Sequence, residues 1–216
     1  MRTENIEKIK ELASARRYAY IAFQRLVGNE PSCELIETLD CDVLRMAFAI
    51  AGALPNASDE VEALVRELSA ACARIESVKS DYARIFVGPA ALPAPPWESV
   101  YRGKKRLLMT TSTLSVREYY RACGYEAQCL RHVPDDHLAL ELDFLSALAQ
   151  EALDACDVGD EQSARNALQS GQTFLKAHLA LWVGEFASDL REHDGSSFYC
   201  AIADALAAFV EADCEA

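Results

Sequence analysis

Apolar residues recur every three to four positions through most of the 216-residue chain, the spacing of one buried face of an α-helix. Ile6, Ile9, Leu12, Ala13, Tyr20, Phe23 and Val27 predict a first helix over 4–27, ended by Gly28 and Asn29. Pro31 and Ser32 open a second helix over 33–52, closed by Gly52 and Pro55. Ser58, Asp59 and Glu60 form a helix start, since early carboxylates complement the helix dipole. That third helix runs to residue 86 and stops at Gly88-Pro89.

The second half repeats the pattern. A short amphipathic helix follows over 112–122, with Gly124 as its C-cap. A longer helix begins with Pro134 in its first turn and acids just inside. A helix over 161–190, with a break near Gly171, and a last helix over 198–213 complete the chain. Strand-like alternation is nearly absent, and only 125–133 reads as a short extended piece. The predicted fold class is all-α: a single helical domain spanning 1–216, with about seven to eight helices. Two lobes, 1–101 and 112–216, joined by a strap and hinge, are compatible with the same pattern.

The long interruption is GPAALPAPPWESVY, residues 88–101, which holds four of the seven prolines and one of the two tryptophans. Pro95-Pro96 fixes extended backbone. Trp97 and Tyr101 are four apart and share a face if a helical turn starts there. One reading is a packing strap with Trp97 as core filler. The other is a preordered aromatic wall of a peptide groove, since a stiff segment loses little entropy on binding.

Composition narrows the functional classes. The formal charge is −13, which argues against nucleic acid as a partner. The charge is uneven: residues 102–131 hold seven Lys/Arg against two acids, and 134–216 hold seventeen acids against three Lys/Arg. The polar N-terminus, MRTENIEKIK, has no apolar signal core, and no apolar run approaches a membrane span. A cytoplasmic location is expected. Eight cysteines contain no Cys-x-x-Cys pair, so buried free thiols are the reading.

The segment PDDHLALELDF gathers Asp135, Asp136, His137 and Glu141. Helix capping, a His–carboxylate acid/base pair, a His137–Glu141 metal pair at i,i+4, and carboxylates held out to a guanidinium are the four readings. Catalysis lacks a nucleophile in a recognisable setting, and no phosphate-binding Gly-x-x-x-x-Gly-Lys-Ser/Thr occurs. RGKKR, 102–106, is a basic connector, and His178 with Trp182 is a packed helix face.

DYARIFVGPAALPAPPWESVY, followed about thirty residues later by PDDHLALELDFLSAL and then by FLKAHLALWVGEF, resembles the TorD/DmsD family of cytoplasmic chaperones. The resemblance implies an all-helical, non-enzymatic chaperone for molybdopterin oxidoreductases. Such a protein binds the twin-arginine signal peptide of the apo catalytic subunit and holds it until cofactor insertion is complete. By this resemblance Tyr82, Ile85, Phe86, Pro96, Trp97, Tyr101, Pro134, Asp136 and His137 are the peptide-binding residues. Tyr18 or Tyr20 would join them from the first helix.

The resemblance also allows weak guanine-nucleotide binding, no other cofactor, and a monomer or a domain-swapped dimer. The chain departs from the family pattern at Tyr82, Ala90, Tyr101 and Thr110 or Thr111, which implies a groove that is shallower or tuned to a different apolar signal segment. The residues themselves are compatible with it. Ile85, Phe86, Trp97 and Tyr101 would take the apolar part of a signal, and Asp135, Asp136 and Glu98 its arginines, with negative charge steering the peptide in. The alternatives are a chaperone for a non-exported subunit that binds the apoenzyme, a helical metalloenzyme using His137 and Glu141, and a nucleotide hydrolase.

Overall fold

A computed structural model describes residues 2–51, 59–103, 105–127, 133–193 and 195–215. Helices α1 (Arg2–Gly28), α2 (Cys33–Glu37), α3 (Cys41–Ala51), α4 (Asp59–Ala71) and α5 (Ile75–Tyr82) precede the strap. A 3-10 turn, Cys72–Arg74, separates α4 from α5, and a π-helical turn, Ala83–Val87, follows α5. After the strap come α6 (Glu98–Tyr101), α7 (Thr111–Ala122), α8 (Leu138–Asp157), α9 (Glu161–Ala177), α10 (Val183–His193) and α11 (Ser197–Glu215). Among the described residues there are no β-strands, only one isolated bridge.

The predicted long helices are subdivided. The second breaks at Leu39-Asp40, where the Asp40 carboxylate accepts the Asp42 and Val43 amides and so starts a new helix. The predicted break near Gly171 is absent. Gly171 sits inside α9 against Leu148, and the interruption falls at His178–Trp182 instead. Pro134 and both aspartates lie before α8 rather than in its first turn, and His137 is the cap. Gly52, Pro55, Ser58 and positions 128–132 of the predicted extended piece lie outside the described residues.

The antiparallel neighbours α1 and α8 are the central pair. Ala13 packs with Ala152 where the two helices meet, and a Cβ on Gly28 would come within 2.9 Å of the Ala139 Cβ. Close approach, not left-handed backbone, therefore requires this glycine. Phe48 from α3 and Phe209 from α11 meet at 5.0 Å with their rings tilted by 59°, and Phe23 from α1 lies 6.1 Å from Phe209. Beside them Arg16 donates to Asp213 at 2.7 Å, and the Tyr20 hydroxyl also donates to that carboxylate. One hydrophobic core thus draws on residues from both sides of the strap. Seven described cysteines are free thiols; only Cys156 is buried and the rest are partly exposed, so the expectation of buried thiols holds for one of them.

Candidate functional site

The strap is stitched to the segment before α8 by backbone pairing. The Glu98 amide donates to the Asp136 carbonyl at 3.0 Å and the Leu138 amide to the Pro96 carbonyl at 2.9 Å. Trp97 and His137 therefore form an antiparallel bridge. Prolines allow this because only carbonyls, not amides, are asked of Pro96. The bridge sets the Trp97 and His137 rings edge to face, 5.3 Å apart. His137 Nδ1 accepts the Ala139 amide at 3.1 Å, which caps α8 and leaves that nitrogen unprotonated. Burial lowers the His137 pKa to about 4, with the Asp136 charge opposing it.

Asp136 is fully buried. One carboxylate oxygen accepts the Ser99 amide at 2.7 Å and caps the single-turn helix α6; the other has no hydrogen-bond partner. Asp135 is buried too, and Arg117 donates to it through Nε at 2.9 Å and Nη2 at 2.5 Å. Its carbonyl accepts the Tyr120 hydroxyl at 3.0 Å. Glu98 lies inside with its Oε2 2.8 Å from His178 Nδ1. Asp135, Asp136 and Glu98, read from the sequence as carboxylates offered to a peptide's arginines, are thus all buried; Asp135 meets the chain's own Arg117 guanidinium, and one Asp136 oxygen is left without a partner.

Behind the strap, Tyr101 stacks on Trp182 at 5.3 Å and 22°. Trp97 and Tyr101 do not share a partner; the turn after Trp97 sends them to different elements. Arg106 lies over the outer side of the Tyr101 ring at 5.1 Å and pairs with Asp189. The Trp182 indole donates to Glu141 at 3.3 Å. Burial, then the neighbouring Glu98 charge, hold the Glu141 carboxyl well above its ordinary range. Glu141 thus faces the core instead of completing a metal pair with His137. Among the described residues no three His, Cys, Asp or Glu side chains gather as a metal set.

A separate aromatic group forms where α5 gives way to the π-turn. The wider turn ends at Gly88, whose amide donates to the Ala83 carbonyl at 2.9 Å and whose φ of 86° suits glycine. Ile85 is buried, while Phe86 meets Tyr82 at 5.3 Å and Tyr199 at 5.3 Å. Tyr199, from α11, is buried with an unpartnered hydroxyl. The nine sequence-derived positions accordingly fall into sets. Pro96, Trp97, Asp136 and His137 meet, with Pro134 beside them: the His137 amide donates to its carbonyl at 3.2 Å. Tyr82 and Phe86 meet each other over Ile85, and Tyr101 turns to Trp182. Of the two tyrosines offered by α1, Tyr20 is buried against Phe209, and Tyr18 exchanges hydrogen bonds with the Asp40 backbone.

Sequence reasoning missed Tyr199, whose ring completes the Tyr82–Phe86 group from more than a hundred residues away. The sequence offers no local signal for it, because it sits on an ordinary apolar helix face; Trp182, read as packed, is buried. Leu107, Leu108 and Met109 are also exposed, at 57%, 50% and 69%.

Comparison with known proteins follows the same lines. The profile of the nitrate reductase delta subunit family matches residues 54–188. The chaperone protein TorD of Aliivibrio fischeri is 27% identical over 202 residues, covering 92% of each chain. TorD of Vibrio cholerae is 32% identical over 153 residues, 71% of this chain and 67% of the relative. The Tat proofreading chaperone DmsD of Salmonella paratyphi A is 30% identical over 127 residues, 59% of this chain and 55% of that one. Among solved structures, a protein assigned as a redox enzyme maturation protein of Archaeoglobus fulgidus has a TM-score of 0.52 at 21% identity, covering 90% of this chain and 93% of its own. That last likeness concerns the fold.

Proposed function

Because this chain belongs to the TorD/DmsD family, we propose that it is a maturation chaperone for a molybdopterin oxidoreductase. In this reading it works in the cytoplasm, without chemistry of its own. It binds the twin-arginine signal peptide of the apo catalytic subunit and keeps it from export until the cofactor is in place. The observation that carries the reading is the Trp97–His137 corner. A stiff proline strap and a helix cap, forty residues apart in sequence, are paired backbone to backbone, and both residues are only partly buried, with the Trp97 indole N–H turned inward and unpartnered.

A corner of this kind is preorganised, so a peptide laid against it orders little of the protein. Tyr82 and Phe86, also partly exposed, supply a second apolar contact for the uncharged middle of a signal. A formal charge of −13 steers a cationic peptide in. Micromolar affinity asks for only about −8 kcal/mol, which a few aromatic contacts supply after ordering costs.

The test is titration calorimetry of the purified chain with a twin-arginine signal peptide, beside the same peptide with both arginines changed to alanine. Binding at micromolar strength or tighter, weakened in the alanine peptide, is the expected result. A chain that ignores both peptides but retains the signal-deleted apoenzyme in a pull-down would overturn signal recognition in favour of apoenzyme binding.

A further inference from the structure

A cavity of about 370 Å³ opens between the segment after α7 and the first turns of α8, within the range of small-ligand sites, roughly 300–1,000 Å³. Three rings wall it. Tyr120 and Phe144 are 4.6 Å apart at 52°, and Tyr125 and Phe144 are 5.6 Å apart at 80°. Two of these rings are pinned by their hydroxyls: Tyr120 to the Asp135 carbonyl at 3.0 Å and Tyr125 to Glu151 at 2.7 Å. Leu140 gives an apolar floor, and Asp143 and Glu126 put two carboxylates on the lining.

Among the described residues that line the cavity, the two carboxylates meet no cation. Asp143 and Glu126 are both exposed at the cavity's edge; among the described residues neither has a hydrogen-bond or ion-pair partner through its carboxylate, and partial desolvation raises the Asp143 pKa from its ordinary value. Among the described residues the neighbouring cations line an adjoining cleft that shares Tyr120, Tyr125, Glu126 and Ala127 with the cavity: Arg117 is neutralised by Asp135, and Arg121 lies on the cleft side.

Aromatic faces with free carboxylates at their edge recognise a planar cation, because the ring quadrupole and the carboxylate both favour positive charge and a guanidinium stacks flat. We propose that this cavity is a guanidinium subsite that receives one arginine of the bound signal peptide, stacked among Tyr120, Tyr125 and Phe144 and paired with Asp143. The assignment rests on the signal-peptide reading above. It also gives the arginine an exposed carboxylate in place of Asp135 and Asp136, which are buried. The cavity adjoins the Trp97–His137 corner through the same short segment: Asp135 holds Tyr120, and Leu140 lies one turn beyond His137.

The test follows the ring signals of Tyr120, Tyr125 and Phe144 by NMR while the intact chain is titrated with N-acetyl-arginine methylamide. The citrulline analogue serves as its neutral match, and the full signal peptide is titrated separately. The arginine probe and the peptide should shift these rings, the citrulline probe should not, and Asp143→Asn should weaken the arginine probe about 5- to 10-fold. In the peptide, removing the arginine that occupies the cavity should cost no more in Asp143→Asn than that variant already loses.

Rings that stay still with both arginine probe and peptide, rings that move equally with citrulline, or an Asp143→Asn chain that binds like the wild type would overturn the assignment. If the peptide binds and these rings do not move, signal recognition stands and the subsite falls. If the arginine probe binds here and the peptide does not bind at all, the cavity is a guanidinium pocket, but the signal reading falls and with it the assignment of a signal arginine to this cavity.

Discussion

The Asp136 carboxylate accepts the Ser99 amide at 2.7 Å, so a residue just ahead of α8 caps the single helical turn that ends the strap. Together with the backbone pairing of 96–98 to 136–138, this contact makes the Trp97–His137 corner a fixed feature and not a contact between two mobile loops. A four-residue helix has no stability of its own; it exists because Asp136 and the bridge hold its first turn.

Replacing Asp136 with alanine leaves the Ser99 amide unsatisfied in a buried setting, at a cost of about 1–3 kcal/mol. For a chain of this size that is a fall in Tm of roughly 2–10 °C. Asp136→Asn keeps an acceptor and should recover most of it. Thermal unfolding followed by circular dichroism separates the two, and peptide affinity should track the Tm loss, since Asp136 acts by holding the corner.

Acidification should weaken the fold through His137. Its folded pKa of about 4 lies below the ordinary value of 6.5, so between those two pH values the unfolded chain binds more protons. Stability then rises with pH across this window and is lost as pH falls through it, by up to about 3 kcal/mol. Urea unfolding at pH 6.5 and pH 4.5 should show the loss, and His137→Asn, which can still cap α8, should reduce it.

Glu141 should act in the opposite sense. Its folded pKa is raised by burial and by the neighbouring Glu98 charge above the ordinary 4.5, so the folded state holds the proton longer. Stability from this group falls as pH rises from 4.5 toward that folded value. Glu141→Gln, neutral at every pH and still able to accept from the Trp182 indole, should be at least as stable as the wild type at pH 8. Parallel denaturant titrations of the two proteins at several pH values measure the difference.

Phe86 is only partly buried, and it meets the Tyr82 and Tyr199 rings without filling the centre of the core. Phe86→Ala should therefore lower signal-peptide affinity about 10- to 100-fold, as expected of an aromatic anchor at the centre of an interface, while helical content is kept. Calorimetry beside far-UV circular dichroism checks both halves of the expectation.

Peptide affinity should also fall as salt rises from low to physiological strength, because long-range attraction from a chain of net charge −13 is screened within about 8–10 Å. A ring contact in the cavity should be less sensitive, being partly desolvated.

By itself the sequence determined the helical class, the approximate place of α1, α7, α8 and α11, and the strap, because helical periodicity, proline and glycine act over a few neighbouring residues. It also marked Trp97 and His137 through family resemblance. Local signals placed boundaries less well: His137 and not Pro134 starts α8, since the segment before it is drawn into pairing with the strap. Only the tertiary structure decided which groups face in. Asp135, Asp136 and Glu98 look like solvated acids in the chain, yet each is buried against Arg117, the Ser99 amide or His178. Likewise Tyr199 completes the Tyr82–Phe86 group, and Tyr125, Asp143 and Phe144 frame a cavity with Tyr120, only once α5, α7, α8 and α11 are packed. The physical reason is range: helix formation depends on neighbours in sequence, whereas burial and partner choice depend on residues a hundred or more positions away.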